Sequence, residues 1–155
     1  MRKQLVKGFT MFMLIVALAF VTAVVSANGQ SESVRANIPF EFAVGDKTLP
    51  SGEYAIRSAT AGGAAMMIRS ENTKNSALRL TNAIEDKRSV GQVKLVFHRY
   101  GERYFLAEVW TGESGRELAK SKQERAMERE LASIPAKGGS AQARYERVEI
   151  LATLQ

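Results

Sequence analysis

His98 is the only histidine in the chain and the first candidate for chemistry. It lies in a β-forming run between Phe97 and Arg99, where an imidazole can act as a general base or bind a metal. A single histidine makes a poor transition-metal site, because such sites collect three or four ligands. No Gly-x-Ser-x-Gly elbow is present, so the sequence indicates no serine nucleophile. Catalysis through His98 is therefore a hypothesis that requires an acid or hydroxyl within hydrogen-bond reach in a cleft.

Other catalytic and cofactor chemistries find little support in the sequence. The chain has no cysteine, which excludes thiolate zinc sites, thiol nucleophiles and dithiol redox chemistry. Half of the acidic residues lie directly beside basic ones, as in 85–88, which is typical of a solvated surface. No calcium-loop spacing occurs, and neither Gly62-Gly63 nor Gly138-Gly139 is followed by the Lys-Ser/Thr of a phosphate loop. We therefore expect no catalytic residue, no metal and no cofactor.

The aromatic residues provide the candidates for binding. Phe97, Phe105 and Trp110 lie in strongly β-forming runs, and we expect them in a core because an aromatic ring normally buries most of its area. Tyr100 and Tyr104 flank the tip of a predicted hairpin and are the better candidates for the surface. The candidate binding residues are Tyr100, Tyr104, Arg103 and His98.

Strands are the elements that must position these residues. Alternation at period two runs from Val34 to Phe42, and Pro39 predicts an edge strand or a bend. Further strands are predicted over 54–58, 65–69 and 77–82, where the last alternates through Leu78 and Leu80. The clearest element is a hairpin of 93–100 and 104–110, because a short glycine-containing link joins two β-rich runs.

The period changes near the C-terminus. Residues 117–133 lack glycine and proline and predict a helix on the surface of the sheet. Its apolar side comprises Ala119, Ala126, Met127, Leu131 and Ile134. Residues 135–143 predict a linker, and 145–154 predict a last strand. Together these elements predict a mainly β protein, an antiparallel β-sandwich or small β-barrel with one helix in the C-terminal region.

The first 27 residues have the three parts of a secretory signal peptide. Arg2, Lys3 and Lys7 precede the uncharged apolar run 11–25, and Val25-Ser26-Ala27 resembles a cleavage site. A retained membrane anchor is the alternative, although the 17 residues from Phe9 to Val25 are short of the roughly 20 that span a bilayer. We expect export by the Sec-type route to the periplasm or the medium, and a single exported domain over 28–155.

The charge of the chain argues against nucleic acid as a partner. The net charge of +6 includes three basic residues of the first 27, so residues 28–155 carry 19 basic and 16 acidic side chains. Both signs are interspersed, which is typical of a solubility surface and not of a nucleic-acid footprint. We expect an envelope protein or a glycan as partner, no nucleic acid, and no membrane contact after cleavage of the signal.

Three stretches together resemble a known family. They are ANIPFEFAVGDKTLPSGEY from Ala36, LVFHRYGERYFLAEVW from Leu95 and ELAKSKQERAMERELA from Glu117. The chain resembles a family of short, exported, uncharacterised β-rich proteins of acidobacterial type, and the resemblance covers most of residues 28–155. It implies export and a β-rich body. The family has no assigned reaction or ligand, so it implies no site residue.

The sequence thus predicts a non-enzymatic binding or structural module of the envelope or the extracellular space. One alternative is a small barrel whose apolar lumen, lined by residues such as Ile56, Leu95, Phe97 and Phe105, holds a small ligand. A second is a hydrolase-type enzyme that uses His98. An outer-membrane barrel is a weaker alternative, because the chain is short and its strands carry charge on both faces.

Overall fold

The computed structural model describes residues 32–133 and 145–155, which lie in one compact unit, Glu32–Gln155. The predicted signal peptide of residues 1–27 and the whole of the predicted linker of 135–143 lie outside the described residues. The strands in the described part are β1 (Ser33–Ile38), β2 (Phe42–Val44), β3 (Lys47–Leu49), β4 (Gly52–Ser58), β5 (Ala65–Ser70), β6 (Ser76–Ile84), β7 (Val93–Tyr100), β8 (Arg103–Thr111), β9 (Gly115–Leu118), β10 (Glu146–Leu151) and β11 (Thr153–Leu154). The helix α1 spans Lys122–Ser133.

The strands form two connected sheets. The first sheet has the order β11-β1-β4-β5-β6, and the second has the order β6-β9-β8-β7-β10. Strand β6 belongs to both, since its residues 76–80 pair with β5 and its residues 81–84 pair with β9. A strand that passes from one sheet to the other forms a corner of such a fold. All these pairs are antiparallel; β2 adds a parallel pairing with β8 and an antiparallel one with β3.

The C-terminal strands form the second corner. Strand β10 pairs with β7 in the second sheet, and β11 pairs with β1 in the first, with only Ala152 between them. The Ala152 N–H donates to the Val93 carbonyl, and Ser33 and Gln155 exchange two backbone hydrogen bonds of 2.9 Å. The two ends of the strand order are therefore connected by one stretch of chain, which removes much of the exposed edge that an open sheet leaves.

One apolar core lies between the two sheets. It combines side chains of the first sheet, such as Tyr54 and Ile68, with side chains of the second, such as Phe97 and Val109. Phe42 bridges them, with its ring centroid 5.1 Å from that of Tyr54 and 5.5 Å from that of Phe97, both edge-to-face. Such edge-to-face pairs add to the stability gained from burial alone. The mainly β fold with one helix is the class that the sequence predicts.

The hairpin confirms its prediction, whereas the predicted single strand over 145–154 is divided at Ala152 into β10 and β11. The hairpin β7–β8 turns at Gly101, whose φ of 63° is one that other residues rarely adopt. Strand β1 ends at Ile38, directly before Pro39, as expected from the missing backbone donor of proline. Val148 and Ile150 of β10 pack against the core in the predicted phase.

The predicted helix is wrong over residues 117–121. Glu117 and Leu118 belong to β9, where Leu118 pairs with Thr81 of β6 and Glu117 with both Asn82 of β6 and Glu108 of β8. Long-range pairing between two strands therefore overrides the helix propensity of this stretch. The helix begins at Lys122, and its packed residues include Met127 and Leu131, whereas Ala126 is exposed. No helix within the described ranges has the length and the apolar content to cross a membrane.

The orientation of strand β6 also differs from the one that its sequence suggests: its leucines face outward and not into the core. Leu78 and Leu80 are 60% and 68% exposed, whereas Ala77 faces the core. Arg79 lies on the side of Ala77 and donates a hydrogen bond of 3.1 Å to the Ala119 carbonyl. The register with β5 fixes this orientation, because a shift by one residue would reverse every side chain.

Candidate functional site

His98 lies between the second sheet and the helix, in contact with an acid. Its Nδ1 is 3.0 Å from Oε1 of Glu124, and the two side chains are 7% and 5% exposed. An ionised carboxylate only accepts hydrogen bonds, so beside an ionised Glu124 the imidazole Nδ1 is the donor. The pair connects β7 to the first turn of α1, and both of its side chains are buried.

The N-terminus of α1 positions Glu124 for this contact. Ser121 is the N-cap, since its Oγ accepts the N–H of Glu124 at 3.0 Å and its carbonyl accepts the N–H of Arg125 at 3.1 Å. The sequence Ser-x-x-Glu is that of a capping box, in which the glutamate usually turns back to the N-cap N–H. Here the Glu124 carboxylate instead contacts the sheet at His98.

Two tyrosines complete the buried cluster. The Tyr145 ring lies 3.9 Å from the His98 ring, centroid to centroid, and the Tyr100 hydroxyl donates to Glu124 Oε1 at 3.5 Å. Burial is the largest cause that raises the pKa of Tyr100 well above its usual range, and the negative charge of Glu124 adds to it. Tyr100 therefore stays protonated as a hydrogen-bond donor. We call His98, Tyr100, Glu124 and Tyr145 the helix-docking cluster.

The predicted binding residues separate in the structure. His98 and Tyr100 are buried, so the expectation of Tyr100 at the surface is wrong, because the helix covers this part of β7. Tyr104 points to the other side of the sheet, where its ring stacks on Phe40 with a centroid distance of 3.8 Å. Arg103 is exposed, with its guanidinium 5.6 Å from the Phe105 ring. These four residues thus do not form one continuous surface.

The helix-docking cluster satisfies part of the requirement for catalysis. An acid lies within hydrogen-bond reach of the only histidine, as in a dyad that orients a general base. However, His98 and Glu124 are both more than nine-tenths buried, and the aromatic ring of Tyr145 covers the imidazole. Among the described residues, no group of three or more histidine or carboxylate side chains is placed to hold a metal. The arrangement favours a structural contact between helix and sheet.

A network of alternating charges fixes β10 to the second sheet. Arg147 donates two parallel hydrogen bonds to Glu108, of 2.7 and 3.0 Å, and a third of 3.1 Å to Glu149. The Trp110 indole N–H donates to Glu108 at 2.7 Å, and the buried Lys94 donates to Glu149 at 3.0 Å. The hydrogen bond from Lys94 is the largest cause that lowers the pKa of Glu149, and Arg147 adds to it. Every charge in this network has a partner, which is typical of a stabilising role.

The outward side of the first sheet carries arginines instead. Arg35 on β1 and Arg69 on β5 flank the small Ala55 of β4, and Arg57 lies one row further along β4. Arg35 is 3.8 Å from Glu71, a distance at which a half-exposed pair contributes little. Within residues 32–133 and 145–155, neither Arg57 nor Arg69 makes an ion pair or a side-chain hydrogen bond. Because both side chains are exposed, their guanidinium groups are candidates for binding a ligand.

A cleft of about 360 Å³ follows these arginines. Its lining also includes the hydroxyl-bearing residues Ser33, Ser70 and Thr73. Neighbouring strands lie about 4.8 Å apart, so Arg35 and Arg69, two strands apart, have α-carbons roughly 10 Å from each other. Long guanidinium side chains at this spacing can reach the same anionic group or adjacent groups of a polymer.

Apolar side chains continue the same surface. Arg57 pairs with Met67, which pairs with Leu78, and Ala65 pairs with Leu80 in the next row. Because strand neighbours in register point to the same side, these side chains and the arginines share one face. We call this surface the open face. It comprises Arg35, Arg57, Met67, Arg69, Leu78 and Leu80.

The residues expected to line a lumen pack tightly in the structure. Ile56, Leu95 and Phe97 belong to the core and are at most 1% exposed. A lumen large enough for a ligand would leave accessible surface on the side chains that line it, so this burial favours a filled interior. Phe105 lies outside the core, in a second cluster with Ala43 and Tyr100.

Sequence reasoning missed both the partner of His98 and the open face. The Ser121-x-x-Glu124 spacing is a signal that could have placed the start of the helix. The isolated arginines of β1, β4 and β5 appear in the sequence as ordinary outward positions, and only the strand register brings them together. Comparison of the chain with protein-family models, with curated proteins and with solved structures found no match.

Proposed function

We propose that this protein is an exported, non-enzymatic binding module that recognises acidic groups of an envelope or extracellular molecule through its open face. The observation that carries the proposal is the convergence of Arg35, Arg57 and Arg69 around Ala55, with Arg57 and Arg69 without any partner among the described residues. Guanidinium groups suit this task because they bind carboxylate or phosphate with two parallel hydrogen bonds.

The remainder of the molecule supports this choice. In the second sheet, Arg147 and Lys94 are bound by Glu108 and Glu149. The only histidine is enclosed in the helix-docking cluster. The open face thus combines exposure, a cleft and two arginines that have no partner in the described part of the chain. An acidic glycan or an acidic protein segment of the envelope matches this chemistry. The signal-like residues 1–27 support the export that the proposal requires.

The proposal is tested by measuring the binding of soluble polyanions. Polyphosphate and polygalacturonate, which carry phosphate and carboxylate respectively, serve as probes in titration calorimetry with the full chain. Each arginine contact at an exposed site is worth about 1 kcal/mol, so the variant Arg57→Gln/Arg69→Gln should bind about 25-fold more weakly. Binding should also weaken with salt.

A variant of equal charge loss is the control. Lys87 and Arg88 are exposed in the loop between β6 and β7, outside the open face. Lys87→Gln/Arg88→Gln should retain most of the affinity if the arginine geometry matters. Equal losses in both variants would mean that only net charge attracts the probe, and the proposed site would then be wrong.

A further inference from the structure

The open face is amphipathic, and this property is not needed to bind a soluble anion. Along the strands, its side chains change from acidic to basic and then to a mixed row in which Arg57, Met67 and Leu78 are neighbours. Glu53 and Glu71 lie at one end, Arg35 and Arg69 in the next row, and Leu78 beyond them. Leu80 continues the apolar end at 68% exposure. Exposed leucines on a sheet carry a risk of aggregation, so a surface of this kind requires an explanation.

We infer that the open face docks onto the surface of an anionic lipid bilayer. This inference rests on the proposed function and names the lipid headgroup as the source of the acidic group. The arginines are placed to bind headgroup phosphates, and Leu78 and Leu80 are placed to enter the boundary between headgroups and acyl chains. It departs from the expectation, drawn from the sequence alone, of no membrane contact after cleavage of the signal.

The positive charge of the arginines and the apolar side chains beside them favour an anionic bilayer as the occupant. The negative surface potential of an anionic membrane attracts basic side chains. Apolar side chains contribute favourable binding free energy when they leave water. A bilayer presents these two environments a few ångströms apart, and the face places the basic Arg57 and the apolar Met67 and Leu78 side by side in one row. A soluble acidic polymer would use the arginines and leave the leucines in water.

The chain itself offers a sensitive test of leucine insertion. It contains no cysteine, so a single introduced cysteine can carry an environment-sensitive dye at one defined position. Leu80 and Val90 are both 68% exposed, but Val90 lies in the loop after β6 and not on the open face. The variants Leu80→Cys and Val90→Cys therefore form a matched pair in the full chain. The local dye also reports insertion separately from any binding by residues 1–27.

Dye emission is measured during titration with vesicles of phosphatidylcholine, with and without phosphatidylglycerol. We expect a blue shift for the dye at position 80 with the anionic vesicles, little shift with the neutral ones, and little shift at position 90 with either. Adding Arg57→Gln/Arg69→Gln to Leu80→Cys should raise the lipid concentration at half-saturation by about 25-fold, since each basic residue contributes about fivefold.

The outcomes separate the two proposals. Equal shifts at positions 80 and 90, or no shift at position 80, would overturn the membrane inference. If polyphosphate binding then still depends on Arg57 and Arg69, the proposed function stands and the ligand is a soluble anion. If the arginine substitutions change neither polyphosphate binding nor the dye response, both proposals are wrong.

Discussion

At the scale of single residues, burial decides which polar groups are structural and which are available. His98, Tyr100 and Glu124 have the residue types of a catalytic site, but their enclosure between sheet and helix makes them a docking contact. Arg57 and Arg69 have ordinary residue types, but their lack of partners in the described part of the chain makes them candidates for recognition.

Removing the buried carboxylate should destabilise the fold. Glu124→Ala leaves the His98 N–H and the Tyr100 hydroxyl without their acceptor, and we expect a loss of about 2–3 kcal/mol in the free energy of unfolding. Glu124→Gln keeps an acceptor oxygen and should cost less. Urea denaturation measures both, with the exposed Glu130→Ala as control. A Glu124→Ala variant as stable as the control would show that the cluster does not hold the helix.

Tyr100 should make the stability of the fold depend on pH in the alkaline range. Because its pKa is raised in the folded state, the protonated phenol contributes stability that is fully present below about pH 10 and is lost as the pH rises further. Tyr100→Phe has no phenol to ionise, so its stability relative to the wild type should improve from pH 9 to pH 11. The free energy of unfolding of both proteins is measured by urea denaturation at each pH. If it changes with pH equally in the two proteins, the assigned environment of Tyr100 is wrong.

At the scale of elements, strand pairing explains which strands and helix boundaries could be predicted from the sequence and which could not. The hairpin β7–β8 was predictable because its alternation and its glycine turn are local signals. The start of the helix was not, because Glu117 and Leu118 are good helix formers that are held in β9 by pairing with β6, a strand distant in sequence. The outward orientation of Leu78 likewise depends on its register with Met67, which no local pattern reveals.

The Arg147 network should contribute to holding β10 on the sheet. Arg147→Gln removes the two parallel hydrogen bonds to Glu108, whose side chain is only 12% exposed, and we expect a loss of about 1–2 kcal/mol. Glu146→Gln removes a more exposed ion pair of the same ladder and should cost under about 0.5 kcal/mol. Equal effects of the two substitutions on urea denaturation would show that the network adds nothing beyond surface charge.

At the scale of the whole molecule, the two corners join the two sheets into one unit. Strand β6 forms one corner, and the chain through Ala152 forms the other. This arrangement keeps β1, β4 and β5 in the register that aligns Arg35, Ala55 and Arg69. The open face therefore depends on residues at the far end of the sequence.

Deleting residues 153–155 should test this dependence. The deletion removes the two hydrogen bonds between Ser33 and Gln155 and the pairing of β11 with β1, and we expect a loss of about 2–3 kcal/mol. Leu154→Ser keeps the backbone pairing and changes a side chain that is 39% exposed, so it should cost under about 1 kcal/mol. Thermal unfolding measures both, and an unchanged midpoint after the deletion would mean that the second corner is not needed.

The central claim is that the open face is the binding surface, and mapping of backbone amide shifts by nuclear magnetic resonance tests it most directly. During titration with polyphosphate, the largest changes should appear at Arg35, Ala55, Arg57 and Arg69 and decrease toward the second sheet. The same titration of Arg57→Gln/Arg69→Gln should show little change. Shifts centred on Arg103 and Tyr104 at the hairpin, or shifts absent from β1, β4 and β5, would contradict the claim.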